Sequence, residues 1–290
     1  MRALKEYNEH TDKYLYHDSP EAYLEFLRAN EDQIRRMHWR ATENINDNWA
    51  GLHWEKALDK LQNGDDKLTK EASKIIDQMN DDNILSLGRS IITSEIVGFM
   101  PNVPAVLAGI PNNMFAKSPI ETEDKLAPLS IYIDTSVSAA ISNDEILKRG
   151  VSVLAFVMAM HTVRPIDLYV TSTWSFGKNS GTGCNVVKIT TAPLDLARAT
   201  WILTAKEYVR RFSFAVSKYI CDAYDFTDAM PPGWHDYSYC GPHWEACLRK
   251  LLNINPHDVV IGGGSIFNDS MRSDPVSWVR EMIKDHTRRL

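Results

Sequence analysis

Leu129-Ser130-Ile131-Tyr132-Ile133-Asp134-Thr135-Ser136-Val137-Ser138 is the stretch that decides the fold. Its apolar run, 129–133, reads as a buried strand, and a D-x-S-x-S loop closes it. A carboxylate and two hydroxyls at alternate positions can converge on one point at the end of a strand. Hard cations such as Mg²⁺ take such oxygen ligands and keep several waters. The other reading has Asp134 and the two serines capping the loop and the next helix through side-chain hydrogen bonds.

Working outward, a helix is expected over 143–160, then a strand over 165–173, a turn-rich tip at 175–181 and a strand over 185–191. The two strands form a hairpin. A long helix follows over 194–223, then an aromatic loop, a helix over 244–252, a strand at 259–261 and a last helix from 275, started by Asp274-Pro275. Upstream, Ser19-Pro20-Glu21 starts a helix that runs to about Arg36, and two helical stretches cover 54–61 and 67–79. Residues 90–98, rich in β-branched side chains, read as a strand, and the proline-punctuated 101–127 as a connector. Strands alternating with helices argue for an α/β fold: a three-layer, mostly parallel sheet with an edge hairpin and a helical N-terminal extension. The division is 1–100 (acidic, helical, one strand, packed on the core), 101–127 (connector) and 128–290 (core).

On Asp134, Ser136 and Ser138, and on the order of the elements after them, the chain resembles a von Willebrand factor A-type domain over roughly 128–265. That resemblance implies a binding protein holding Mg²⁺ or Mn²⁺ through Asp134, Ser136, Ser138 and Thr191, with a partner's carboxylate completing the shell. The family's third metal element, an aspartate ending the fourth strand, has no equivalent, because Gly262-Gly263-Gly264 stands there and Asp269 lies further on. Two of the family's sheet strands are also missing, and the strand near Ile91 is a candidate to replace one. His53-Trp54-Glu55-Lys56-Ala57-Leu58 and the stretch 103–111, taken with the D-x-S-x-S strand, resemble a set of bacteriophage proteins. That second resemblance implies an accessory factor that binds single-stranded DNA and recruits a phage or host protein such as an RNA polymerase.

Composition narrows the classes. At 290 residues and 44% hydrophobic content the chain can bury one large core or two modest ones. Residues 1–100 carry 13 Lys/Arg against 19 Asp/Glu and the rest carries 19 of each, which excludes a uniformly basic nucleic-acid binder. Val151 to Met160, the longest apolar segment, falls far short of the ~20 residues of a membrane span. The polar first residues and four cysteines predict a soluble protein of a reducing cytoplasm, with no membrane partner.

A nucleic-acid surface is expected from two sources. Trp174, Phe176 and Lys178 at the hairpin tip, with Trp234 and Tyr237 in the aromatic loop, place rings beside cations, a combination that stacks bases at ~1–3 kcal/mol each. Lys206, Arg210 and Arg211 fall within two turns of the long helix and form a basic stripe. His235, Cys240, His243 and Cys247 are spaced unlike zinc frameworks and read as ordinary core and surface residues. No nucleophile elbow, phosphate loop or H-E-x-x-H occurs, so no catalysis is expected. Two readings stand: the single-stranded-DNA accessory factor, and a protein–protein adaptor gripping an acidic residue through the metal loop.

Overall fold

The computed structural model describes residues 5–6, 13–37, 49–70, 73, 90–95, 100–101, 103–111, 113–119, 128–137, 141–161, 164–175, 182–191, 193–223, 244–262 and 274–287. The elements are β1 (Lys5–Glu6), β2 (Lys13–His17), α1 (Pro20–Ala29), α2 (Glu31–Met37), α3 (Trp54–Asn63), β3 (Ser90–Glu95), β4 (Met100–Pro101) and α4 (Val103–Leu107). After these come β5 (Met114–Pro119), β6 (Leu129–Asp134), α5 (Asn143–His161), β7 (Ile166–Ser175), β8 (Thr182–Ile189) and α6 (Leu196–Thr204). A π-helical segment (Tyr208–Ser213), α7 (Phe214–Ala223), α8 (Trp244–Leu252), β9 (Val259–Ile261) and α9 (Pro275–Thr287) complete the order.

The chain is mixed α/β, built on a six-stranded sheet of order β1-β2-β8-β7-β6-β9. The pairs β2–β8, β6–β7 and β6–β9 are parallel, while β1–β2 and β7–β8 are antiparallel. Strand alternation sorts the side chains into two faces. Leu15, Ile131, Ile133, Leu168, Val170, Val187 and Ile261 join the main core with α5, α6, α1 and α9. Cys184, Val186 and the tyrosines of β2, β6 and β7 face the other way, against Leu248 and Leu251 of α8.

The hairpin of 166–189 is internal rather than at the edge, because Lys13–His17 adds beyond β8 in parallel. The strand at Ile91, expected as a candidate for this sheet, is not part of it: β3 pairs with β5 (Ile91 opposite Ser118) in a separate three-stranded sheet of order β3-β5-β4. The expected connector thus supplies β4, α4 and β5.

Helix α5 is buried on nearly every side, from Ile146 to Met160, as an almost uniformly apolar helix must be. Gly150 makes its contact with α6 possible: a Cβ there would stand 2.3 Å from the Leu203 carbonyl oxygen. The long helix expected over 194–223 is broken. α6 ends at Ala205, and the backbone widens into the π segment before α7 resumes. No proline or glycine marks that break. Its cause is packing, since Tyr208 and Phe212 must both reach the cluster of Tyr23, Trp54 and Trp201.

Candidate functional site

Asp134 closes β6, one strand in from the β9 edge of the sheet, and is buried. Its Oδ1 accepts from the Ser136 amide at 3.1 Å and its Oδ2 from the Thr173 hydroxyl at 2.8 Å. Ser136 Oγ donates to the Thr173 carbonyl at 2.8 Å and accepts from the Thr173 amide at 2.6 Å. The loop is therefore tied to β7 by its own oxygens, in the manner of a side-chain cap. Arg149 of α5 lies behind it and donates to the carbonyls of Asp134 (2.7 Å) and Gly262 (3.0 Å), joining the ends of β6 and β9. Burial raises the Asp134 carboxyl above its ordinary range, opposed by the Thr173 and Ser136 hydrogen bonds and the Arg149 charge.

The expected metal ligands do not assemble. Thr191 donates to the Ile166 carbonyl at 2.5 Å, and Ile166 pairs with Leu129 at the opposite end of β6. A strand length, on the order of 15 Å at ~3.3 Å per residue, separates it from Asp134. The threonine that reaches Asp134 is Thr173. Ser138 lies outside the described residues, as do Gly263, Gly264 and Asp269. Among the described residues no three His, Cys, Asp or Glu side chains group as a metal site. Among the described residues, with a fixed guanidinium beside the carboxylate, the donor set does not fit a divalent cation.

Three of the side chains expected on a nucleic-acid surface are buried instead. Trp174 is 3% exposed, because it shares the core face with Leu168 and Val170 at two-residue intervals. Arg210 is 4% exposed and Arg211 fully buried. Arg210 donates to the carbonyls of Trp49 and Ile141, each at 2.5 Å, and to Asn143 Oδ1 at 2.9 Å, and it stacks 5.1 Å from the Trp49 ring. Arg211 reaches the Gly51 carbonyl at 3.5 Å. Both arginines satisfy irregular backbone rather than forming a stripe. Lys206 is half-buried. Phe176, Lys178, Trp234, Tyr237, His235, Cys240 and His243 lie outside the described residues, as does the Cys247 side chain.

Two features were not anticipated. On the Asp134 face of the sheet, Tyr14, Tyr16, Tyr132 and Tyr169 line a pocket of about 190 Å³, closed by Val186 and Leu252. Tyr132 and Tyr169 stack at 4.6 Å and 11°. The alternation in Lys13-Tyr14-Leu15-Tyr16-His17 was the available signal, since tyrosines at every second position mark one face. The second feature is α4. Val103, Val106, Leu107 and Ile110 stand 58%, 47%, 83% and 49% exposed, and they are the large apolar side chains exposed among the described residues. Val103, Val106 and Leu107, at i, i+3 and i+4, share one helical face, and Ile110 follows just beyond the helix end. Gly109, at φ 69°, ends the helix, with Gly109 N donating to Val106 O and Ile110 N to Ala105 O. Residues 96–116 contain no ionisable side chain.

No helix among the described residues is long and apolar enough to cross a membrane. No curated protein and no solved structure matches the chain. One family model, described as "Domain of unknown function (DUF7192)", matches residues 2–288, nearly the whole length, and the chain therefore belongs to that family.

Proposed function

We propose that the chain is a non-catalytic protein–protein adaptor that works without a metal, built on a von Willebrand A-like three-layer body. The observation that carries the reading is the outward apolar stripe Val103, Val106, Leu107 and Ile110, set within residues 96–116 that hold no charge. Contiguous exposed apolar side chains on a soluble body mark a contact site. An uncharged stripe selects a partner whose matching surface is apolar, since a buried unpaired charge on either side would be costly. Ser136 and Thr173 spend their hydrogen bonds holding Asp134 and each other, so the D-x-S-x-S loop serves as a structural tie in this account. A phage or host protein, including an RNA polymerase, is the partner class the sequence resemblance implies. Single-stranded DNA is not part of the proposal, because Trp174, Arg210 and Arg211, three of the eight side chains expected to hold it, are buried.

The test is site-specific photocrosslinking in the cells that express the protein. A photoreactive residue at Leu107 should give a discrete adduct that the same residue at exposed Glu25 does not. Adducts at neither site, or equally at both, would refute the stripe as the contact. An adduct between two copies of the chain would make the partner a second copy.

A further inference from the structure

We propose that the tyrosine-lined pocket between β2, β6, β7 and α8 binds an organic ammonium cation, either a small molecule or the head of a basic side chain. The argument begins with shape. Tyr14, Tyr16, Tyr132 and Tyr169 come from three strands and converge on one cavity of about 190 Å³. That is smaller than the ~300–1,000 Å³ of pockets for drug-sized ligands, so it admits one compact group. Aromatic rings attract cations over their negative faces. Tyr169 has one face on Tyr132 and the other under Lys188, so the rings left to a ligand are Tyr14, Tyr16 and Tyr132. The sheet already contains one such contact: Lys188 Nζ stands 5.5 Å from the Tyr169 ring centroid and is held at 2.8 Å by Asp167.

Charge chooses the class of ligand. Asp18 and Asp167 act on Tyr16, and Asp167 and Asp258 act on Tyr169, while Asp258 also acts on Tyr132. Among the described residues the neighbouring cations are Lys188, paired with Asp167, Arg164, which faces Asp258, and Arg249, which reaches the Asp258 carbonyl and pairs with Glu245. Four carboxylates against these three cations leave the described rim net negative. The phosphates of a nucleotide or a strand would be repelled, whereas an ammonium group meets both the rings and the carboxylates. Burial is the first cause raising the hydroxyls of Tyr16, Tyr132 and Tyr169, and the nearby aspartates add to it. The hydroxyls therefore stay protonated at neutral pH, and it is the rings that hold the cation. The pocket shares its sheet face with Asp134, but the Asp134 side chain is committed to Thr173 and Ser136 and takes no part.

The experiment is calorimetric titration with tetramethylammonium, with a short peptide carrying trimethyl-lysine, and with 3,3-dimethylbutanol as the neutral isostere. A thymidine oligonucleotide is the fourth probe. Both cations should bind and the neutral isostere should bind at least about tenfold more weakly, the size of a desolvated cation–ring contact. Tyr16→Leu should weaken the cations by about tenfold, and Tyr16→Phe should preserve them, because the ring face and not the hydroxyl is used. Asp18→Asn, at an exposed position, should weaken them severalfold without touching the packing, which covers the case in which Tyr16→Leu loses stability. A peptide binding far better than tetramethylammonium would identify the source as a partner's side chain, and equal binding a small molecule. Failure of both cations to bind, equal binding of the neutral isostere, or oligonucleotide binding lost in the same variants would each overturn the proposal.

Discussion

Arg149 Nη2 donates to the Asp134 backbone carbonyl at 2.7 Å, and the same nitrogen reaches the Gly262 carbonyl at 3.0 Å. One buried guanidinium thus fastens the ends of two parallel strands and lends positive charge to a carboxylate that an open metal site would leave exposed to a cation. Arg149→Leu should cost at least about 2 kcal/mol in urea unfolding, because two buried carbonyls lose a charged donor. Arg149→Lys should recover part of that. A loss below 0.5 kcal/mol (roughly the level of a surface substitution) would show that the clamp is not structural.

Asp134 tests the metal question. Its carboxyl is raised above the ordinary value of 3.8 by burial. A raised folded value contributes stability that is complete below the unfolded value and lost as pH rises through the folded one. At pH 7 the ionised form is therefore a burden. Asp134→Asn keeps Oδ1 for the Ser136 amide and turns Nδ2 to donate to the Thr173 hydroxyl oxygen, so it should leave the melting temperature equal or higher, unchanged by Mg²⁺, Mn²⁺ or a chelator. A Mg²⁺-dependent rise in wild-type melting temperature that vanishes in Asp134→Asn would establish the cation site instead.

His17 gives a pH dependence. Burial lowers its imidazole from 6.5 to about 4, with Nε2 at 3.0 Å from Asn185 Oδ1. The neutral form is the native one. Above pH 6.5 neither folded nor unfolded chain takes the proton, and below it the unfolded chain does so first. Stability should fall between pH 6.5 and 4, by about 3 kcal/mol when complete. His17→Gln should flatten that part of the profile, and an unchanged slope would exclude His17 as its source.

Gly150 is required by approach rather than by conformation. Ala would gain about 1 kcal/mol in helix propensity. Its Cβ, however, would meet the Leu203 carbonyl oxygen at 2.3 Å, a backbone atom that cannot turn aside. Gly150→Ala should be destabilising by about 1–3 kcal/mol net, as overpacking is. A stabilised variant would mean that α6 moves freely against α5.

What could be read in the sequence follows from which signals are local. The apolar run 129–134, the helix at 143–161 opened by the reciprocal Ser142–Glu145 cap, and the amphipathic helix at 244–252 carry local signals, and they form where the pattern puts them. β2 was missed because Lys13-Tyr14-Leu15-Tyr16-His17 alternates polar aromatics with a single leucine, and its pairing with β8 is long-range. Arg210 and Arg211 read as a solvated stripe because charge ordinarily stays in water. They are buried because the carbonyls of Trp49, Gly51 and Ile141 need donors, and nothing local reveals that demand. Trp174 could have been assigned to the core, since it continues the Leu168–Val170 alternation. Asp134 and Ser136 do come together, but with Thr173 in place of Thr191.

The most direct test of the adaptor reading is the affinity of the crosslinked partner, once identified, for four preparations: wild type, Val106→Asp with Leu107→Asp, Asp134→Ala, and wild type in chelator. Both aspartates fall on exposed positions and should leave the melting temperature unchanged. The account predicts at least about a hundredfold loss, ~2.7 kcal/mol, in the double variant, the scale of a central contact. It predicts unchanged affinity in chelator and for that part of Asp134→Ala that remains folded. Full affinity in the double variant together with loss in chelator would contradict it and return the function to the metal loop.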